Sequence, residues 1–93
     1  MKFDLILQSE AIAELQEAFE WYEKQKQGLG FLLLEEVENC FEKLSLNPQY
    51  YTYINKKYRR IKVKKFPYLI VYEIEKSAVF INSFFHEKRN PKY

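Results

Sequence analysis

The stretch YRRIKVKKFPYLIVYEIEKSAVFINSFFH, residues 58–86, decides the fold. At its start, basic side chains alternate with Ile61 and Val63, which predicts a strand with one apolar face and one cationic face. Pro67 has no amide hydrogen to give to a sheet, so it predicts a bend before the next strand. The cations of the first strand are Arg60, Lys62 and Lys64.

Two further strands follow the proline. The uncharged run over residues 68–72 predicts a strand that is covered on both faces and is therefore central in its sheet. Lys76 and Ser77 predict a tight turn into a last strand over residues 78–85. Strict alternation along this last strand places Val79, Ile81 and Phe85 on one face, and Phe80, Phe84 and His86 on the other.

The N-terminal half predicts one short strand and two helices. Apolar residues alternate over residues 3–7, and Ser9 is then the predicted N-cap of a helix over residues 10–26. Gly28 predicts a left-handed stop, and a second helix with apolar residues at helical spacing should end before Pro48. Because the connection is so short, the two helices must be antiparallel neighbours.

The order of these elements indicates an α+β fold. Residues 50–54 predict one more strand, which gives a strand, two helices and then three or four sequential strands. We therefore expect an N-terminal strand and an antiparallel helical hairpin, packed on one face of a mostly antiparallel sheet of three to five strands. Residues 1–93 should form a single domain, since 93 residues that are 47% hydrophobic can fill one core.

The charges are unevenly distributed, although the net charge is only +2 at pH 7. Seven of the 15 basic residues lie between Lys56 and Lys65 with no acid among them. Nine of the 13 acids lie between Glu10 and Glu42, in the predicted helices. The cationic region suits an acidic partner, such as a nucleic acid or an acidic protein segment. The alternative is that the basic run only solvates an exposed face.

Several kinds of site are excluded by composition. Cys40 is the single cysteine and His86 the single histidine, so neither a disulfide within the chain nor a metal site of familiar spacing is expected. Gly28 and Gly30 do not make a phosphate-binding loop, so no cofactor is expected. No apolar run is long enough to span a membrane, and we expect a soluble, cytoplasmic protein.

The residues for one kind of catalysis are present. A metal-independent endoribonuclease that uses the 2′-hydroxyl as its nucleophile needs groups that transfer protons and cations that stabilise the phosphoryl transition state. His86 and Tyr93 are the candidates for proton transfer, and Lys62, Lys64 and Arg89 are the candidates for charge. The alternative for a lone histidine at a strand end is a purely structural hydrogen bond.

A set of short motifs lies along the chain: Arg60-Ile61, Phe66-Pro67-Tyr68, Ile70, Tyr72, His86-x-x-Arg89-x-Pro91 and the aromatic Tyr93. In these residues the chain resembles the RelE/ParE superfamily of bacterial toxins, from type II toxin–antitoxin modules associated with plasmid stabilisation. The resemblance covers essentially the whole chain, and its order of elements is the one predicted above. The Phe-Pro-Tyr strand and the His-x-x-Arg-x-Pro close are more similar to the ParE branch.

The two branches of the superfamily imply different targets. RelE-like members are ribosome-dependent mRNA endonucleases, whereas ParE-like members act on DNA gyrase. Lys62 and Tyr93 match the RelE pattern, and Arg60 keeps a cation where a further lysine is usual, but Leu69 and Glu87 replace or lie beside its two arginines. The loss of two cations weakens a site for phosphoryl transfer, which favours gyrase. An mRNA endonuclease is the alternative, and an inert protein-interaction module is the third hypothesis.

The resemblance also implies a partner. A cognate antitoxin is expected to lay an acidic-hydrophobic C-terminal segment over the toxin, and this segment would order as it binds. Tyrosines suit such a surface because they combine apolar area with a hydroxyl, and Tyr50, Tyr51, Tyr53 and Tyr58 are candidates. The residues expected to bind the target or the antitoxin are Arg59, Arg60, Lys62, Lys64, Tyr68 and Arg89.

Overall fold

The computed structural model describes residues 2–88 and confirms the α+β fold. A single turn of 3₁₀ helix follows the second α-helix, and three strands complete the described chain. The elements are β1 Asp4–Leu7, α1 Ser9–Gln25, α2 Leu29–Leu46, the 3₁₀ turn Pro48–Tyr50, β2 Arg59–Lys62, β3 Tyr68–Glu75 and β4 Ala78–His86.

The four strands form one mixed sheet in the order β1-β4-β3-β2. β1 is parallel to β4, whereas β2 with β3 and β3 with β4 are antiparallel. The central position predicted for the strand after Pro67 is confirmed, because β3 lies between β4 and β2. The turn at Lys76 and Ser77 is also confirmed, and Lys76 takes the positive φ of 57° that a tight turn requires.

The helical hairpin is held together at its turn. Gly28 has a φ of 92°, the left-handed conformation that the sequence predicted. The carboxylate of Glu23, near the end of α1, accepts the amide hydrogens of Gly28 at 3.2 Å and Gly30 at 2.7 Å. A side chain of α1 therefore satisfies amide groups at the start of α2 that have no partner within the helix.

The core lies between the helices and one face of the sheet. Cys40 packs into it from α2, and the hydroxyl of Tyr72 donates to the carbonyl oxygen of Pro48 at 2.7 Å. This bond ties β3 to the turn after α2. The fully buried apolar side chains of the core are Leu33, Val37, Leu44, Val63, Ile70, Tyr72, Val79 and Ile81.

The predicted N-cap of the first helix is wrong. The helix begins at Ser9 itself, Gln8 stands in the cap position, and no side chain caps this end. The amide of Gln8 donates to Ile81 of β4 at 2.9 Å, and its carbonyl oxygen accepts from Ile12 at 3.1 Å. Gln8 is therefore both the last residue bonded to the sheet and the first acceptor of the helix, which leaves no cap position for Ser9.

The strand predicted over residues 50–54 is also wrong. This segment begins in the 3₁₀ turn, and only an isolated bridge between Tyr53 and Arg59 connects it to the sheet. Pro48 starts the turn, because its φ suits the first position of a helix. The side chain of Arg59 donates hydrogen bonds to the carbonyl oxygens of Gln49 and Tyr51, each at 2.8 Å. These bonds hold the segment against β2, where the sequence predicted a paired strand.

A bulge corrects the predicted faces of the last strand. Val71 pairs with Ser83 but Tyr72 pairs with Ile81, so Asn82 is an extra residue in β4. After the bulge the alternation is reversed, and Phe84 joins Val79 and Ile81 in the core. The prediction that placed Phe84 and His86 opposite Val79 and Ile81, and Phe85 with them, is therefore wrong. The prediction assumed that side chains alternate strictly between the two faces, and an extra residue breaks this alternation.

Candidate functional sites

The cationic strand has the alternation of buried and exposed residues that the sequence predicted, but β2 ends at Lys62, so the prediction that placed Lys64 on this strand is wrong and Lys64 lies in the bend that follows. Ile61 and Val63 are buried, whereas Arg60, Lys62 and Lys64 are exposed. The ammonium of Lys62 donates to the carbonyl oxygens of Val63 and Phe66. Lys62 thus stabilises the bend between β2 and β3, in which Lys65 has a positive φ of 70°. The side chain of Lys62 is exposed, whereas its ammonium donates its hydrogen bonds to backbone oxygens of the same chain.

Arg59 has a different role from Arg60, its neighbour. Besides its two bonds to Gln49 and Tyr51, the guanidinium donates to the hydroxyl of Tyr53 at 2.8 Å and lies 3.8 Å from the centre of the Tyr53 ring. A planar guanidinium can make these bonds and stack at the same time. Arg59 therefore fixes the segment that carries the exposed tyrosines.

One cavity, of about 440 Å³, lies between α2 and the bend after β2. Lys65 forms an ion pair with Glu36 at its edge, with Nζ 3.4 Å from a carboxylate oxygen. The thiol of Cys40 lies 3.7 Å from the carbonyl oxygen of Lys62, and burial raises the pKa of this thiol. The cavity is lined by Glu36, Asn39, Cys40, Glu42, Lys43, Leu46, Lys62, Lys64 and Lys65.

A second cavity, which we call the aromatic cleft, lies between α1 and the end of β4. His86 closes β4 here, opposite Tyr68, and their ring centres are 5.4 Å apart at 74°. Nδ1 of His86 accepts the amide hydrogen of Lys88 at 3.2 Å, which is a structural hydrogen bond. The residues of the aromatic cleft are Glu14, Glu17, Ala18, Trp21, Tyr22, Tyr68, Phe84 and His86.

The residues predicted for catalysis do not form one group in the described chain. Lys62 and Lys64 line the cavity beside α2, whereas His86 lines the aromatic cleft. Arg89 and Tyr93, the other two candidates, lie outside residues 2–88. Among the predicted binding residues, Arg60 and Lys64 are exposed, but Tyr68 is buried and reaches the surface only as a wall of the aromatic cleft.

Of the eight described residues that line the aromatic cleft, only Tyr68 and His86 were predicted as site residues. Glu14, Glu17 and Trp21 follow one another along one side of α1, at the spacing of a single helix face. A carboxylate oxygen of Glu14 accepts the amide hydrogen of Phe84 at 2.9 Å, so this acid connects α1 to β4. The helical spacing was visible in the sequence, but the strand that it faces depends on the bulge at Asn82.

Within residues 2–88, no three histidine, cysteine or acidic side chains are placed to hold a metal ion together. None of the helices in that range has the length and apolar character needed to cross a membrane.

Comparisons with known proteins agree with this fold. A solved chain described as belonging to a chromosomal ParDE TA system from P. aeruginosa superposes with a TM-score of 0.79. The match covers 91% of this chain and 96% of that one at 11% sequence identity, so it shows the fold alone. No curated protein sequence matches the chain. The family model for the ParE toxin of the type II toxin–antitoxin system parDE matches residues 5–91. The chain therefore belongs to the ParE toxin family of type II toxin–antitoxin systems.

Proposed function

We propose that this toxin inhibits DNA gyrase by binding to it and that the toxin catalyses no reaction itself. We also propose that a cognate antitoxin binds the toxin and neutralises it. The observation that carries the proposal is the match of the ParE model to residues 5–91, which includes nearly every residue discussed above. Leu69 and Glu87 also support the proposal, because they stand at or beside positions where RelE-like nucleases have arginines.

The geometry of the described candidates supports binding over RNA cleavage. A general base and a stabilising cation must reach the same phosphate to within hydrogen-bond distance. His86 and Lys62 line different cavities, and the ammonium of Lys62 is bonded to two backbone oxygens. Exposed cations on a strand instead suit recognition of an acidic protein surface, where they steer association and fix orientation.

The proposed contact surface is the exposed row of Arg60, Lys62 and Lys64. Arg59 would contribute indirectly by holding the adjoining tyrosines, and Arg89, outside the described residues, remains a candidate contact. Tyr68 would contribute from the wall of the aromatic cleft.

The antitoxin is proposed to cover the same row with acidic side chains. Tyr50 and Tyr53, with 81% and 54% of their surface exposed, offer apolar area beside it for the hydrophobic residues of such a segment. A segment that orders as it binds can cover both surfaces at once.

The test is supercoiling by purified gyrase in the presence of the purified toxin. We expect inhibition by the wild-type chain and about tenfold weaker inhibition by the charge-reversed double variant Arg60→Glu/Lys64→Glu. Lys24→Glu/Lys26→Glu is the matched control, because it makes the same change in net charge at the C-terminal end of α1, at residues that do not belong to the cationic row. Equal inhibition by both double variants would remove the cationic row from the proposal.

A second assay separates the alternative target, and a third tests the antitoxin. Messenger RNA on programmed ribosomes should stay intact in the presence of the toxin. Cleavage at codon positions with unaffected gyrase would overturn the gyrase proposal in favour of the mRNA endonuclease.

The protein encoded beside the toxin gene should restore supercoiling when added in equal amount, and no restoration would contradict its role as the antitoxin.

A further inference from the structure

Tyr68 is the one residue of the aromatic cleft that the proposed contact surface includes, and the composition of the rest of the cleft is not explained by that surface. The cleft is an open cavity of about 310 Å³ between α1 and the ends of β3 and β4. Aromatic rings form most of its wall, and two carboxylates of α1 lie along one side. The described part of the lining contains neither lysine nor arginine. The charge of this described lining is therefore opposite to that of the cationic strand.

The aromatic wall is preorganised. Tyr68 and Phe84 stack with their ring centres 4.5 Å apart and an angle of 10° between their planes. Tyr22 meets Tyr68 edge to face at 6.2 Å, and Trp21 meets Tyr22 in the same way at 4.9 Å. Rings that brace one another across α1, β3 and β4 keep the cavity open, so a ligand does not have to order them.

The carboxylates add negative charge at the same place. Glu14 is anchored by the bond that its side chain accepts from the amide of Phe84, and Glu17 is exposed one turn further along α1. Aromatic faces and carboxylates both attract cations. A planar guanidinium can stack on a ring and bind a carboxylate with two parallel hydrogen bonds, which a lysine ammonium cannot do.

We propose that the aromatic cleft receives an arginine side chain presented by a segment of a partner protein. Trp21, with 56% of its surface exposed, forms the rim and gives apolar contact area to the residues that flank the arginine. Tryptophan, tyrosine and arginine are the residues that most often dominate protein interfaces. This contact is independent of the cationic strand, so it extends the proposed function without resting on it.

Trp21 also provides the measurement, because it is the only tryptophan of the chain. The full-length toxin is titrated with the peptide acetyl-Leu-Arg-Leu-amide, and the fluorescence of Trp21 is followed. We expect a saturable change. The matching citrulline peptide has nearly the same shape without the charge, and it should bind at least tenfold more weakly. The lysine peptide should lie between the two.

Variants then locate the binding. Glu17→Gln should weaken the arginine peptide by about tenfold, and Glu14→Gln should act similarly while it keeps an oxygen for the amide of Phe84. Glu20→Gln is the matched control on α1, since its carboxylate lies outside the cleft. Circular dichroism checks that each variant is folded.

The results that overturn the proposal are equally specific. They are no saturable change with the arginine peptide, equal binding of the citrulline peptide, or equal losses in Glu17→Gln and Glu20→Gln. None of these results would affect the gyrase assay, so the two proposals fail separately.

Discussion

Arg59 and Arg60 are neighbours in the sequence and have opposite surroundings in the fold. Arg60 is exposed on the cationic row, whereas Arg59 turns back to bind two backbone oxygens and the hydroxyl of Tyr53. The sequence grouped them as contacts for a partner, because a basic run does not reveal which cation turns inward. The acceptors of Arg59 belong to a segment whose irregular path periodicity could not predict.

This difference predicts unequal effects of the same conservative change. Arg59→Lys keeps the charge but loses the planar fork, so the free energy of unfolding should fall by about 1–3 kcal/mol. Arg60→Lys should leave it within about 0.5 kcal/mol of wild type. Urea denaturation measures both values. Similar losses in the two variants would contradict the role given to Arg59.

At the scale of elements, the helices and the hairpin of β3 and β4 were predictable and the faces of β4 were not. Helical spacing, Gly28 and Pro48 are local signals, and each predicted a boundary to within a residue or two. The bulge at Asn82 arises from the pairing of two strands, so the alternation of residues along β4 alone does not predict it. His86 was therefore correctly placed at a strand end and assigned to the wrong side of the sheet.

The link between the two helices makes a prediction at the same scale. Glu23→Ala removes the acceptor for the amides of Gly28 and Gly30, and the free energy of unfolding should fall by about 1–2 kcal/mol. The control is Glu20→Ala, a change of the same type on the exposed side of α1, and it should have little effect. Thermal and urea unfolding measure both. An equal loss in the control would mean that helix propensity, rather than the link, explains the effect.

At the scale of the whole molecule, the order of elements and the α+β class followed from the sequence, but the partner of β1 did not. Sequential strands with short connections can only pair as antiparallel neighbours, which predicted β2, β3 and β4. β1 is separated from its partner by two helices and two strands, and local patterns carry no information about such a pairing. The same limit applies to the aromatic cleft, which combines α1 with two strands.

The stability of the whole molecule should depend on alkaline pH. Burial raises the pKa of Cys40 above its ordinary 9.0 and that of Tyr72 above its ordinary 10.0. Each group is neutral when protonated, so the folded chain holds these protons more tightly than the unfolded chain. Their contribution is complete below the ordinary pKa values and is lost as the pH rises through the folded ones.

The free energy of unfolding should therefore decline between about pH 8 and about pH 11, and it should decline less in Cys40→Ala/Tyr72→Phe. Urea denaturation across this range measures both curves. All other side chains are the same in the two proteins, so only the difference between the curves is interpreted. Parallel curves would contradict the contribution of these two groups.

The parallel pairing of β1 with β4 fixes an order of events during synthesis. A ribosome makes β1 first, and the residues that pair with it, Ala78 to Ile81, among the last of the described chain. At roughly 5–20 residues per second, β1 waits several seconds for its neighbour. A nascent chain that stops before Ala78 has no strand beside β1 and no end of β4 against α1. Among the strands of the described chain, β1 thus leaves the ribosome before the others and pairs with its neighbour only after β4 has been made.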